Sequence, residues 1–259
     1  MSDDPAILVE HVGHVAVLTL NRPAQANAVS PEMTAELAQA AAEVENDPQI
    51  RCAILAGSGE RAFCAGADLG AIAAGMRDQL YTERGGFAGF ATADRRKFWI
   101  ACVDAPALAG GLELALACDM IVASRRARFG LPEVTRALVA AAGGLARLPR
   151  AVPRNLALEM IATGAAITAE RALAAGLVNH LVEPGTARAK ALEIAEAVAR
   201  NAPVAVRESL AIARAVFDHA ESELLQMSTA AALRNYQTED FKEGPRAFLE
   251  KRKPTWVGA

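Results

Sequence analysis

The chain reads as an α/β protein: a parallel sheet threaded by helices, followed by a region of helices alone. Three observations lead there. Apolar residues fill 53% of the 259 positions while aromatics fill only 5%, a balance typical of Ala-, Leu- and Val-rich helices packed over buried strands. Near the N-terminus a helical period lies between two short apolar runs, which is the pattern of a βαβ crossover. Beyond Gly143 strand signals thin out, and Ala-rich amphipathic stretches run to the end.

In chain order, ILVEHVGHVAVLTL (Ile7 to Leu20) sets two strand-like runs about Gly13 and predicts a hairpin. Ser30-Pro31 supplies an N-cap and a first helical position. Met33, Leu37, Ala40, Ala41 and Val44 then recur at helical spacing until Asp47-Pro48 ends the helix. CAILAG from Cys52 is a buried strand, and GSGERAFCAGADL (Gly57 to Leu69) is a glycine-rich loop. Gly70 to Phe90 shows little period and is expected to be mobile or to face a substrate. IACVDA (Ile100 to Ala105) is a strand leading to a second glycine-rich turn at Gly110-Gly111 and a short helix, and MIVAS (Met120 to Ser124) is another strand. LVNHLV (Leu177 to Val182) is the last strand before Glu183-Pro184-Gly185 breaks the chain. The helices after it are expected to pack on the core or on a neighbouring subunit.

Composition excludes several classes. A net charge of −3 argues against nucleic acid and against anionic membranes as partners. Cys52, Cys64, Cys102 and Cys118 form no CxxC pair and mostly sit in apolar runs, so they read as small core residues in a reducing compartment, with no metal site. The opening MSDDPAILVE carries acid where a signal peptide carries base, and a cytoplasmic location is expected. The longest apolar run, Ala105 to Cys118, is interrupted by Pro106, Gly110, Gly111 and Glu113 and makes a poor membrane span. GSGERA matches the loose dinucleotide pattern GxGxxA, yet no helix pattern opens behind it. His11, His14, His180 and His219 are scattered and read as surface or strand residues.

Two loops keep chemical interest, since each runs from strand through glycine-rich turn to helix start. Gly66-Ala67 and Gly110-Gly111 can each be a plain turn, or can each aim a free backbone N–H into a shared space. Two such donors on one oxygen form an oxyanion hole, suited to chemistry in which charge builds on a carbonyl oxygen. Glu113 is the only charge within APALAGGLELALAC. At the third or fourth position of a short helix it can bond back to free amides, or it can serve catalysis. FGLPEV (Phe129 to Val134) sets a second carboxylate, Glu133, among apolar residues. If adjacent, the two acquire different pKa values, and a paired acid and base is what adding or removing water beside a carbonyl requires.

With these pieces in place the chain resembles the enoyl-CoA hydratase/isomerase (crotonase) family over nearly its whole length. The carriers are NRPAQANAVS, AFCAGADL, ALAGGLELALACD, ARFGLPEV, AAGGLARLPR, TGAAITAERALAAGLVNHLV and FLEKRKPTW, in order. The resemblance implies a spiral of ββα units over residues 1–200 and a C-terminal helical oligomerisation region over 201–259, as trimers or paired trimers. It implies an acyl-CoA thioester substrate, with CoA as part of the substrate and no separate cofactor. The thioester oxygen would sit on the amides of Ala67 and Gly110, with Glu113 and Glu133 as the catalytic pair. Asp68, Leu69 and Gly70 would lie beside the adenine, and Phe248 and Lys251 would reach a neighbouring subunit's nucleotide. The reaction implied is reversible hydration of a 2-enoyl-CoA, because both glutamates are kept. Alternatives on the same scaffold are a double-bond isomerase or a carnitinyl-CoA dehydratase, which GGFAGF (Gly85 to Phe90) and EGPRAFLEKRKPTW resemble, or a non-catalytic acyl-CoA binder. Asp104-Ala105, Gly70, Ala109 and Ala140 depart from the family pattern, and Lys251 to Lys253 otherwise reads as a solvated helix end.

Overall fold

The computed structural model describes residues 4–258, so the first three positions of the acidic N-terminal stretch lie outside the described residues. The opening hairpin is β1 (Ile7–Val12) and β2 (Val15–Leu20), antiparallel and turned at Gly13. Helix α1 (Pro31–Asn46) follows with Ser30 as its cap, the serine hydroxyl accepting the amide of Met33, and its buried stripe includes the five apolar residues of the helical period. β3 (Cys52–Gly57) returns parallel to β2 and completes the crossover.

From here one unit repeats. A strand in the main sheet leads to a short strand or bridge in a second sheet and then to a helix. β3 is followed by a bridge at Cys64 and by α2 (Leu69–Ala73). A small hairpin, β4 (Tyr81–Thr82) and β5 (Gly86–Phe87), intervenes. β6 (Phe98–Val103) is followed by β7 (Ala107–Leu108) and α3 (Gly110–Ala117). β8 (Met120–Ser124) is followed by β9 (Arg128–Gly130), a 3-10 turn (Pro132–Arg136) and α4 (Gly144–Ala151). The main sheet runs β1-β2-β3-β6-β8 and ends on the last strand, β11 (His180–Val182), parallel throughout except for the opening hairpin. Parallel bridges Val29–Ala67 and Cys64–Ala107 and the β7–β9 pairing stack the second layer, so the chain coils as a spiral of ββα units.

α5 (Arg154–Thr163), β10 (Ile167–Thr168), α6 (Ala169–Ala174) and β11 (His180–Val182) close this part. α7 (Ala187–Ala199) lays Ala187, Ala191, Ala195 and Ala199 on the outer sheet face, against Val15, Val17, Ile54 and Ile100. Small side chains every four residues let the helix lie close to the sheet. Both sheet faces are thereby buried, which is why CAILAG reads as a continuous apolar run. α8 (Pro203–Arg214), α9 (Glu221–Asn235) and α10 (Glu239–Leu249) complete the chain. Among the described residues no helix is long and apolar enough to cross a membrane.

Three expectations need correction. The strand drawn over Ile100 to Ala105 spans Phe98–Val103, and the one drawn over Leu177 to Val182 shrinks to His180–Val182, because Asn179 pairs through backbone and side chain with Ile121 and turns the chain into the sheet. The stretch Gly70 to Phe90 is folded, with Leu80, Phe87, Ala88 and Phe90 in the core. Its anchors are single side chains at turns, which leave no period to read. Lys251 to Lys253 is an exposed helix end, where Arg252 also donates to Glu243 and Glu250.

Candidate active site

The two glycine-rich loops meet. A Cβ added to Gly66 would lie 2.8 Å from the Ala109 Cβ and 3.0 Å from the Gly110 nitrogen, and Gly66 itself takes φ +94°. Only glycine permits that approach. In the bridge to Val29, the carbonyl of Gly66 and the amide of Asp68 face Val29, so the amide of Ala67 between them points away. Gly110 opens α3, where a first-turn amide has no helical acceptor. Among the described residues neither Ala67 N–H nor Gly110 N–H donates to the protein. The structure thus brings together two free donors from two separate loops.

Glu113 is the fourth residue of α3 and only 3% exposed. It does not bond back to its own helix start. Its Oε1 accepts the amide of Gly144, the first residue of α4, at 2.8 Å. Burial pushes its pKa up, and the amides of Gly144 and Ala142 and the charge of Arg147 oppose the rise. Arg147 is held nearby by the carbonyl of Ala91 at 2.7 Å.

Glu133 sits on the 3-10 turn that Pro132 starts and is 9% exposed. Its Oε2 has no hydrogen-bond partner. Burial pushes its pKa up to about 7; its own backbone amide opposes this, and the negative charge of Glu113 adds to it. Each carboxylate is therefore within electrostatic reach of the other. Leu131 adjoins both: a Cβ on Gly144 would stand 3.0 Å from both Glu113 Oε1 and Leu131 Cδ1, and Leu131 lines a cavity with Glu133. Beside Glu133 opens a cavity of ≈ 180 Å³ lined by Leu131, Val134, Leu138, Val139, Leu145 and Ile161.

The other expected site residues fall into two groups. Asp68 caps α2, accepting the amides of Gly70 and Ala71, and pairs with Arg22 at 3.0 Å. Burial alone would raise its pKa, but Arg22 and the two amides more than offset that and hold it below the usual carboxylate range. Leu69 and Gly70 are exposed beside it. Phe248, 83% exposed, and Lys251 lie at the end of α10. That tail is tied through Trp256 to Arg51 at the N-terminal edge of the parallel strands, whereas the two glycine-rich loops follow the C-terminal edge. The single chain does not bring Phe248 or Lys251 to the carboxylates.

Among the departures from the family pattern, Asp104 is structural: it accepts Arg126 at 2.9 Å and the amide of Gly185. The GSGERA loop is filled by the Asn27 amide, which donates to the carbonyls of Ser58 and Ala62, leaving that turn no room as a phosphate cradle. Sequence reasoning missed Gly144, although the Gly143-Gly144 pair before a helix start was a visible signal. It also passed over Arg147.

A mixed α/β spiral with two free amides brought together from separate loops and a pair of buried carboxylates suits a class of protein that acts on carbonyl-activated carbon. The family model for enoyl-CoA hydratase/isomerase matches residues 10–259. The chain belongs to this family. It is 41% identical to an enoyl-CoA hydratase of Mycobacterium tuberculosis, over 97% of this chain and 96% of that one. It is 39% identical to a carnitinyl-CoA dehydratase of Proteus mirabilis, over 95% and 96%. A crystal structure of an enoyl-CoA hydratase from Mycobacterium tuberculosis superposes with a TM-score of 0.94 at 41% identity, covering 99% of this chain and all of that one.

Proposed function

We propose that the protein is an enoyl-CoA hydratase that adds water reversibly across C2=C3 of a 2-enoyl-CoA thioester. The amides of Ala67 and Gly110 receive the thioester oxygen and stabilise the enolate charge that develops there. Glu113, ionised and oriented by Gly144, takes a proton from the water that attacks C3. Glu133, protonated, delivers its proton to C2 as the enolate collapses. Dehydration uses the same groups in reverse. CoA is part of the substrate, and the scheme calls on no further cofactor or metal. Asp68, Leu69 and Gly70 flank the Ala67 amide and are assigned to the CoA side. Phe248 and Lys251 are assigned to a neighbouring subunit's nucleotide, in a cytoplasmic trimer or pair of trimers. Leu225, Leu233, Phe248 and Leu249, exposed on α9 and α10, support such an assembly.

One observation carries the reading: two neighbouring carboxylates, one held by a helix-start amide and one with an orphaned oxygen and a pKa near 7. That difference suits one to act as base while the other acts as acid. The purified protein is expected to remove the enoyl-thioester absorbance of crotonyl-CoA. Glu113→Gln and Glu133→Gln are each expected to lower kcat by about 10²- to 10⁴-fold. Wild-type rates in either variant would refute the assignment. The 39% identity to carnitinyl-CoA dehydratases favours a second reading, dehydration of a carnitinyl thioester. Product analysis with crotonobetainyl-CoA beside crotonyl-CoA decides between them.

A further inference from the structure

The GGFAGF stretch and the tyrosine ahead of it have no part in the proposed chemistry, yet they are built against it. β4 and β5 pair Tyr81 directly with Phe87, and the two rings meet edge to face with centroids 5.6 Å apart at 61°. Glycines lock this hairpin from behind. A Cβ on Gly85 would overlap the carbonyl of Gly89, and one on Gly89 would stand 2.5 Å from the Ala38 Cβ of α1. So braced, the hairpin presents the edge of Phe87 to Gly110, where a Cβ would stand 2.5 Å from Phe87 Cε1. Phe87 is buried, but Tyr81 is 40% exposed. The Arg77 guanidinium stands 6.0 Å from the Tyr81 ring centroid. Burial raises the phenol's pKa, with Arg77 opposing and the charge of Glu113 adding to the rise.

We propose that the Tyr81 ring, backed by Phe87, is the wall of the acyl compartment on the Gly110 side, which makes Tyr81 a specificity-determining residue. The proposal rests on the thioester site described above. An acyl group whose carbonyl oxygen sits on the amides of Ala67 and Gly110 extends from there past Glu113, between this aromatic pair on one side and Leu131 on the other. A flat ring on a braced hairpin meets a planar enoyl group with little loss of side-chain freedom. Because α1 stands behind it, this wall cannot withdraw from a bulkier acyl group. Tyr81 therefore sets the width of the compartment.

Tyr81→Ala and Tyr81→Phe test this, with turnover of crotonyl-CoA and cinnamoyl-CoA and calorimetric binding of butyryl-CoA and free CoA as readouts. Tyr81→Ala is expected to shift the kcat/KM ratio about tenfold toward cinnamoyl-CoA and to weaken butyryl-CoA by a similar factor, with free CoA unchanged. Tyr81→Phe keeps the ring and is expected to stay within about twofold of wild type on every readout. The wall is overturned if Tyr81→Ala leaves both the ratio and butyryl-CoA binding unchanged. It is equally overturned if Tyr81→Phe shifts them as far, or if free CoA weakens in parallel. A wild-type protein that binds butyryl-CoA but turns over neither enoyl thioester refutes the hydratase reading, and the binding comparison then decides the wall alone.

Discussion

Glu113 and Glu133 are both buried carboxylates but hang from opposite kinds of backbone. Glu113 rises from a helix, and its oxygen is met by the first amide of another helix, so α3 and α4 converge on it. Glu133 rises from a 3-10 turn into an apolar cavity, with one oxygen unmatched. A helix start supplies donors that favour the charged carboxylate, whereas an apolar cavity favours the protonated one. One residue type thus acquires two chemical characters from its surroundings. The difference can be broken from either side.

The largest effect is expected on the Glu113 side. Gly144→Ala places a methyl 3.0 Å from Glu113 Oε1 and from Leu131 Cδ1, so the carboxylate or the leucine must be pushed aside from its present position. A shift of this kind at a reacting group costs about a hundredfold in kcat. Steady-state kinetics on crotonyl-CoA checks it; a variant with unaltered kcat would show that the Gly144 amide does not orient Glu113.

On the Glu133 side the effect is smaller and depends on pH. Folding raises this carboxyl from the ordinary range to about 7, so between about pH 4.5 and 7 the folded state binds more protons than the unfolded state. Stability therefore falls as pH rises through that window, and the full penalty is present above it. Glu133→Gln removes the titration. Relative to wild type the variant is expected to gain about 3 kcal/mol by pH 8 and almost nothing at pH 4, in denaturant melts at the two pH values. In the proposed mechanism the same proton is delivered to C2, so wild-type kcat/KM for crotonyl-CoA is expected to fall above about pH 7. A stability difference that does not vary with pH would mean that Glu133 titrates normally.

Much of this arrangement was legible in the residues. The hairpin, α1 with its Ser30 cap, and β8 stand where period and punctuation put them, because local patterns fix local elements. The loops bearing Ala67 and Gly110 were legible because close backbone approach demands glycine. The asymmetry of the carboxylates was not, because Glu113 finds its donor 31 residues away and no local pattern encodes that pairing. β7, β9 and β10 escaped notice because two or three residues cannot display an alternation. Tyr81 was hidden in a stretch whose order comes from close glycine contacts within the hairpin and from Gly89 against α1.

The smallest effect concerns how α3 is launched. Ala109, just before Gly110, holds φ 52° and ψ −130° while its amide donates to Gly130 and its carbonyl accepts Leu112. Those bonds fix the residue in a conformation that an L side chain resists, at a cost of about 1–3 kcal/mol. Ala109→Gly relieves the strain but enlarges the freedom of the unfolded chain, which returns about 0.4–1 kcal/mol. The methyl is only half-buried, so little packing is lost. A net gain of about 1 kcal/mol is expected, read as a higher denaturant midpoint with unchanged slope. The strain lies at the root of the helix that carries Glu113, and the Glu133 turn is not touched. The variant should therefore rise equally at pH 4 and pH 8, where Glu133→Gln rises only at the higher pH. A loss of stability would mean that the methyl packed against Gly66 outweighs the backbone strain.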